Sequence, residues 1–133
     1  MPPEAGAYAA RHKDRKELLT SRSGAAFIAL SDGILENNGV VYGAGYGSHF
    51  KVEHHRAETK KARDEFKGSK YAQSYISNVY NSIKRDLKDG RIVLFSGTPC
   101  QTAAVSAFVG KKLMISLYLI DIVCHGVAAP KIW

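Results

Sequence analysis

Residues 91–101, with the sequence Arg91-Ile92-Val93-Leu94-Phe95-Ser96-Gly97-Thr98-Pro99-Cys100-Gln101, predict a buried strand, a tight turn and the start of a helix. The apolar run at 91–95 is typical of the strand. Thr98 and Gln101 have the spacing of a capping box, and Pro99 falls at the first helical position, where its missing N–H costs nothing. This strand–turn–helix unit indicates an α/β protein.

The rest of the chain continues this alternation of helices and strands. Residues 1–22 are polar and predicted irregular, and Ser21 and Ser23 are candidate caps of the helix that follows. The other predicted elements are a helix bearing Phe27, Leu30, Ile34 and Leu35, a hairpin of strands 39–43 and 50–54, a charged helix at 58–67, a helix bearing Ile76, Val79, Tyr80, Ile83 and Leu87, a helix at 99–109 and a strand at 113–123. We therefore predict a single α/β domain over residues 1–133, with a mixed sheet and flanking helices and a right-handed crossover near its end.

Charge and composition exclude several classes of protein. The formal net charge is +7, from 19 Lys and Arg against 12 Asp and Glu, but the cations are spread along the chain among acids, so we expect no nucleic-acid partner. The apolar stretch 113–124 is interrupted by Ser116 and Asp121, so we expect no membrane span. The first twenty residues have no apolar core of a secretory signal, and two cysteines suit a reducing compartment, so we expect a cytoplasmic protein.

Glycines and histidines between the first two strands do not form a recognisable cofactor motif. The run 43–47 resembles part of a dinucleotide fingerprint, but Ser48 stands where the third glycine belongs and a strand follows, so hairpin glycines are the better interpretation. His54 and His55 are adjacent on a strand and point to opposite faces, which disfavours a shared metal ion. We interpret His49, His54 and His55 as surface residues.

The two cysteines each follow an apolar run. Cys100 is predicted in the first turn of a helix, where unpaired N–H groups and the helix dipole favour a thiolate. Cys124, in Asp121-Ile122-Val123-Cys124-His125-Gly126, ends the last apolar run. Four interpretations stay open: buried structural cysteines, a Cys100–His125 nucleophile–base pair, a disulfide, which the compartment disfavours, and partial ligation of an iron–sulfur cluster.

Several motifs, taken together and in order, resemble the coenzyme F420 hydrogenase/dehydrogenase beta-subunit family. The resemblance extends from about Tyr8 to Trp133. Its motifs are Ser21-Arg22-Ser23-Gly24-Ala25-Ala26-Phe27, Gly39-Val40-Val41-Tyr42-Gly43, Gly68-Ser69-Lys70-Tyr71-Ala72-Gln73-Ser74, Gly97-Thr98-Pro99-Cys100-Gln101 and Asp121-x-x-Cys124-His125-Gly126-Val127-x-x-Pro130-Lys131-x-Trp133.

The resemblance implies a flavin and iron–sulfur oxidoreductase with FAD on an α/β domain and a [4Fe-4S] cluster beside it. It assigns Cys100 and Cys124 to two of the cluster ligands and Lys70 to the flavin diphosphate. The implied cofactor-binding residues are Ser23, Gly24, Ser69, Lys70, Tyr71, Gln73, Thr98, Pro99, Gln101 and His125. The implied partners are a redox partner protein or ferredoxin, with F420 as a possible substrate.

The chain also departs from the family pattern. The family has a second glycine where this chain has Ala25, and its remaining cluster cysteines lie beyond Trp133. Pro130 resembles the start of a new helix, so we expect a truncated domain that lacks the family's C-terminal part and holds an incomplete cluster, unless two copies pool their cysteines in a homodimer. The alternative function is a non-catalytic remnant or interaction domain that retains the fold.

Overall fold

The helices and strands alternate in the computed structural model, which describes residues 4–76, 78–129 and 131. The helices are α1 (Arg15–Thr20), α2 (Ala26–Glu36), α3 (Lys60–Arg63), α4 (Val79–Lys88) and α5 (Pro99–Val109). The strands are β1 (Val40–Tyr46), β2 (Val52–Ala57), β3 (Val93–Gly97) and β4 (Leu117–Asp121). Short 3-10 turns occupy Ser48–Phe50, Asp64–Phe66 and Met114–Ser116.

The four strands form one mixed sheet in the order β2-β1-β3-β4. β1 pairs antiparallel with β2 as a hairpin, whereas β1–β3 and β3–β4 are parallel pairs. The carboxyl ends of the three parallel strands therefore lie along the same edge of the sheet, which in open α/β folds is the edge where ligands bind. The predicted fold class, α/β with a mixed sheet and flanking helices, is confirmed.

Helices cover both faces of the sheet. On one face Tyr42 and Phe95 pack with buried residues of α4 and α5. On the other face Val41, Leu94 and Phe66 pack together, and the apolar side of α2 lies against them. Strand β3 is buried on both faces, which explains why its sequence is apolar at successive positions instead of alternating.

The turn from β3 into α5 forms as the sequence predicts. α5 begins at Pro99 and ends at Val109, and Thr98 and Gln101 form the capping box. The backbone N–H of Thr98 donates to Oε1 of Gln101 at 3.0 Å. The hydroxyl of Thr102 bonds Asp121 at the end of β4, which joins α5 to the neighbouring strand.

Other sequence predictions need correction. Residues 15–20 are helical and not irregular, because Asp14 caps them by accepting from two backbone N–H groups. Neither Ser21 nor Ser23 caps α2, which starts at Ala26 after Ala25 in the left-handed conformation. Ser21 instead ends α1, where its backbone N–H donates to the carbonyl of Glu17. The helix expected from Ile76 begins at Val79, and the last strand is shorter than predicted. The predicted helix start at Pro130, with Ile132 and Trp133, lies outside the described residues.

Within the described ranges, no helix has both the length and the apolar character needed to cross a membrane. Whether residues 1–133 form a single domain, and whether the protein is cytoplasmic, remain predictions.

A partly buried ion pair between Arg56 and Asp86 fixes β2 against α4. Asp86 lies in the last turn of α4, where the helix dipole disfavours a carboxylate. The groups that stabilise its charge come from the sheet. Arg56 binds it with two hydrogen bonds, of 2.8 and 2.9 Å, and the hydroxyl of Tyr42 donates to it at 2.6 Å. Burial would raise the pKa of Asp86, but the bonds from Arg56 and Tyr42 outweigh it, and the pKa lies below its ordinary value of 3.8.

We predict that Asp86→Asn lowers the free energy of unfolding by about 1 to 3 kcal/mol at neutral pH, because it removes the buried charge that Arg56 and Tyr42 bind and leaves Arg56 with Glu58 as its carboxylate partner. A carboxylate with a lowered pKa stabilises the fold above its ordinary pKa of 3.8, and this contribution is lost as the pH falls through the folded value. Urea unfolding should therefore show a smaller loss of stability between neutral and acid pH in the variant than in the wild type.

The exposed Asp89, three residues further along, provides the control for this prediction. Asp89→Asn should change stability by less than about 0.5 kcal/mol. Equal effects of the two substitutions would contradict the role given to Asp86.

Candidate functional site

A cleft of about 400 Å³ opens at the carboxyl ends of the parallel strands. Gly43 and Ala44 of β1 and Ser96 and Gly97 of β3 contribute to its lining. The apolar residues of the strands fill the core on both faces of the sheet, whereas the residues of β1 and β3 that line the cleft are small. The cleft therefore lies where the topology of the fold predicts a site.

Three separate stretches of chain line the cleft together with the strand ends. They are the turn and first residues of α2 at 21–28, the stretch 66–74, and the start of α5 at 97–101. The stretches at 21–28 and 68–74 are distant in sequence but meet here.

The structure gathers most, though not all, of the residues named from the sequence. The named residues that line the cleft are Ser23, Gly24, Ser69, Lys70, Gln73, Thr98, Cys100 and Gln101. The named residues outside the lining are Tyr71, Pro99, Cys124 and His125, and of these Tyr71, Pro99 and His125 are exposed. The roles assigned to all of these residues remain predictions.

The start of α2 presents backbone N–H groups that no side chain caps. The residue before the helix, Ala25, has no polar group and makes no capping bond. Ser23 and Ala25 both have positive φ, at 57° and 53°, a conformation that favours glycine. The family that the sequence resembles has a glycine at the position of Ala25, and glycine adopts this backbone conformation without strain. The uncapped turn leaves a partial positive charge at the mouth of α2.

Residues 68–76, which we call the wall segment, line the cleft and are held by backbone hydrogen bonds at Gln73 and Tyr75. The N–H of Tyr75 donates to Val52 at 2.9 Å and the N–H of His54 donates back to Tyr75 at 3.0 Å, so this end pairs with β2. The N–H of Gln73 donates to Ala128 at 3.2 Å. The wall segment thus bridges β2 and the chain beyond β4.

The charged residues that line the cleft are all cationic: Arg22, Lys67 and Lys70. Lys67 is paired with Glu17 at 2.7 Å. Lys70 instead donates to the backbone carbonyls of Glu65 and Lys67, at 3.1 and 3.0 Å, which leaves its charge without a bonded carboxylate among the described residues. Burial lowers the pKa of Lys70, and the charge of Glu65 opposes this effect only in part. The cleft is therefore suited to an anion.

His54 is buried and lines the cleft, so its interpretation as a surface residue is wrong. Its ring stacks on Phe95 with centroids 4.9 Å apart, and Nε2 lies 2.9 Å from the carbonyl oxygen of Ser96. Nδ1 lies 2.8 Å from the hydroxyl of Ser74, which Gln101 also contacts at 2.9 Å. The signal in the sequence was strand alternation, since His54 shares the inward phase of Val52, whereas Ser74 carried no comparable signal.

The charged segment 58–67 also contains a buried residue that the sequence did not reveal. Arg63 is 1% exposed. It forms an ion pair with Asp32 at 2.7 Å and donates to the carbonyl of Ile28 at 3.1 Å. Because Ile28 and Phe66 both line the cleft, Arg63 fixes two of its sides relative to each other.

Neither cysteine belongs to a cluster of metal-ligating side chains among the residues that the structure describes. Both are free thiols; Cys100 is exposed and its sulfur lies 3.0 Å from the hydroxyl of Thr98. Cys124 lies three residues beyond the end of β4 and not at the strand end as predicted. Across residues 4–76, 78–129 and 131, no group of three or more His, Cys, Asp or Glu side chains is placed to hold a metal ion. The described residues therefore do not fit a [4Fe-4S] cluster, which needs about four thiolates.

A second hollow, of about 520 Å³, lies over the N-terminal segment and is lined by Arg11, His12, Lys13, Arg15 and Leu18. All of its lining comes from one local stretch of chain. We take the cleft at the sheet edge as the candidate site because separate elements converge there.

Comparisons with known proteins give a likeness of fold. No protein-family model matches the sequence. No curated protein matches it either. A solved chain from the F420-reducing [NiFe] hydrogenase complex of Methanosarcina barkeri superposes with a TM-score of 0.73 at 19% identity, over 97% of this chain and 48% of that one. The present chain thus spans about half the length of the solved chain that it matches.

We predict that Gly43→Ala lowers the free energy of unfolding by about 1 to 3 kcal/mol, because the added methyl group would overpack the floor of the cleft, where Gly43 contacts Phe66. A Cβ at Gly43 would lie 2.7 Å from the ring of Phe66. Thermal unfolding measures the change.

Gly33, in the interior of α2, is the matched control, because a Cβ there meets no atom within 4 Å. Gly33→Ala should stabilise the protein by about 0.5 to 1 kcal/mol through helix propensity. Wild-type stability in Gly43→Ala would show that Phe66 moves freely and that the cleft floor is not tightly packed.

Proposed function

We propose that this chain is the flavin-binding part of an oxidoreductase and that its cleft binds FAD. One observation carries the proposal: the cleft joins an uncapped helix start to apolar side chains and to Arg22 and Lys70, two cations that bond no carboxylate in the part of the chain that the structure describes. FAD has the complementary features, which are an anionic diphosphate and a flat, largely apolar ring system.

The polar side of the cleft fits the diphosphate. Helix N-termini bind phosphate groups through their free N–H groups and their dipole. The start of α2 offers such groups beside the Ser23-Gly24 turn, and Lys70 lies in the same cleft with a third ammonium hydrogen available after its two carbonyl bonds. The formal net charge of +7 favours an anionic ligand in the same sense.

The apolar side of the cleft fits the ring system. The apolar residues that line the cleft include Phe27, Val52, Phe66 and Ile122, and the wall segment lines the same cleft. When bound, FAD supplies the electron-transfer chemistry, exchanging a hydride or single electrons with a substrate such as F420 or with a redox partner protein such as a ferredoxin. The residues of this chain bind and orient the cofactor and exclude water from its ring.

The motif resemblance to the F420 hydrogenase/dehydrogenase beta-subunit family supports the same function. The fold similarity to a chain of the F420-reducing hydrogenase complex points in the same direction. Because the described residues do not fit a cluster, the proposal assigns no step to an iron–sulfur centre. The alternative, a non-catalytic domain, predicts a folded protein that takes up no flavin.

We predict that FAD binds saturably and that Lys70→Met weakens its affinity by about 1.5 to 3 kcal/mol, the contribution of one charge-assisted hydrogen bond. Methionine retains the apolar stem and removes the charge. Quenching of flavin fluorescence measures the affinity. Riboflavin, which has no phosphate, should bind the variant as well as it binds the wild type.

Lys111→Met, at an exposed position outside the cleft lining, should leave FAD affinity unchanged. Equal weakening of FAD and riboflavin by Lys70→Met would show that Lys70 acts only by holding the backbone of the wall segment. Absence of saturable FAD binding to the wild type would refute the proposed function and favour the non-catalytic alternative.

A further inference from the structure

His54 joins four separate parts of the cleft through a chain of hydrogen bonds. It belongs to β2, and its ring contacts Ser96 of β3 and Ser74 of the wall segment. Ser74 is contacted in turn by Gln101 of α5, whose Oε1 accepts from the N–H of Thr98. His54 and Gln101 therefore share the hydroxyl of Ser74, and the imidazole lies between β3 and the wall segment.

The direction of each bond in this chain follows from donor and acceptor chemistry. The carbonyl of Ser96 only accepts, so Nε2 of His54 carries the proton, and in a neutral ring Nδ1 is then an acceptor. Ser74 therefore donates its hydroxyl hydrogen to Nδ1 and accepts from Nε2 of Gln101. In the neutral state Nε2 of His54 and the hydroxyl of Ser74 each donate to one acceptor. A second proton on Nδ1 reverses this bond: Nδ1 donates to Ser74, and the hydroxyl hydrogen of Ser74 must turn to another acceptor. It also places a positive charge on a ring that is 6% exposed and has no bonded carboxylate among the described residues, which is costly while the wall segment covers it.

We propose that His54 is a positioning residue that holds the wall segment against α5 only while its imidazole is neutral, so that acidification releases the wall segment and opens the cleft. The proposal concerns the regulation of the cleft, and it rests on the proposed function only for its consequence for FAD.

The charges around His54 disfavour its protonated form. Along β2 its neighbours are His55 and Arg56, and the carboxylate that Arg56 meets on that face, Asp86, is already bonded by Arg56 and Tyr42. Glu53 lies on the opposite face of β2, 4.0 Å from His55. The remaining titratable residues on the elements nearby are Lys70, Tyr71 and Tyr75 of the wall segment and Cys100 of α5.

The direction of the pH effect follows from the burial of His54. Burial lowers the pKa of His54 below its ordinary value of 6.5; the hydrogen bond to Ser96 opposes this shift and the charge of His55 adds to it. A histidine freed by release of the wall segment titrates near the ordinary value. The state with the wall segment held against α5 is therefore favoured over the released state above pH 6.5. This difference in free energy is lost as the pH falls below 6.5 towards the lower pKa that His54 has in the held state.

Amide hydrogen exchange tests the proposal without any ligand. The reporters are the N–H groups of Gln73 and Tyr75, which donate to Ala128 and Val52. Their protection factors should fall by about tenfold per pH unit in the window below pH 6.5, because opening the wall segment takes up one proton there. The amides of β3 should keep their protection, which separates release of the wall from global unfolding.

His54→Gln keeps a donor for Ser96 but cannot titrate, so the protection of Gln73 and Tyr75 should become independent of pH. His49→Gln, at an exposed position, should behave as the wild type does. Constant protection in the wild type, or an equal loss in His54→Gln, would overturn the proposal.

Ser74→Ala gives a second test if His54→Gln does not fold. This variant removes the link between His54 and Gln101, so the protection of the Gln73 and Tyr75 amides should be low both above and below pH 6.5. High protection in Ser74→Ala would contradict the proposal.

FAD affinity supplies a readout that separates this inference from the proposed function. The affinity of the wild type should weaken at the pH values where exchange shows the wall segment to be mostly open, and that of His54→Gln should not. If FAD binds at no pH while the exchange result holds, the proposed function fails and the role of His54 stands. If FAD binds but exchange does not respond to pH, the role of His54 fails alone.

Discussion

Burial of β3 on both faces is the constraint on which the rest of the structure depends. Val93, Leu94 and Phe95 are each at most 3% exposed, so helices must cover the sheet on both sides. α2 covers one side and α4 and α5 cover the other. Burying one such apolar side chain is worth about 1.5 to 3 kcal/mol, so the strand and the helices around it stabilise one another.

The cleft follows from the way this core ends. At Gly97 the chain leaves β3 and enters α5 within two residues, and the opposite layer brings the start of α2 to the same edge of the sheet. Two helix starts therefore meet at one end of the parallel strands. The wall segment completes the cleft by pairing with β2 and with residue 128, so a stretch without regular helix or strand still has a defined position.

Local patterns in the sequence predicted the strand–turn–helix unit well, because capping and strand apolarity involve residues close together in the chain. The fold class followed from the alternation of elements. Long-range partnerships were not predictable: the alternation of β2 gave a hint for His54, but its contact with Ser74 depends on how the wall segment returns to β2. Arg63 looked like part of a solvated charged helix, and only the packing of α2 explains its burial. Ser21 and Ser23 are residue types that commonly cap helices, yet the turn places Ala25 at the N-cap of α2.

Backbone NMR during an FAD titration tests the central claim most directly, since it reports every part of the cleft at once. The account predicts that the largest shift changes fall together in residues 22–26, 69–74 and 97–101, with saturation at one FAD per chain. Changes confined to residues 11–18, around the N-terminal hollow, or no saturable change at all, would contradict the assignment of the cleft as a flavin site.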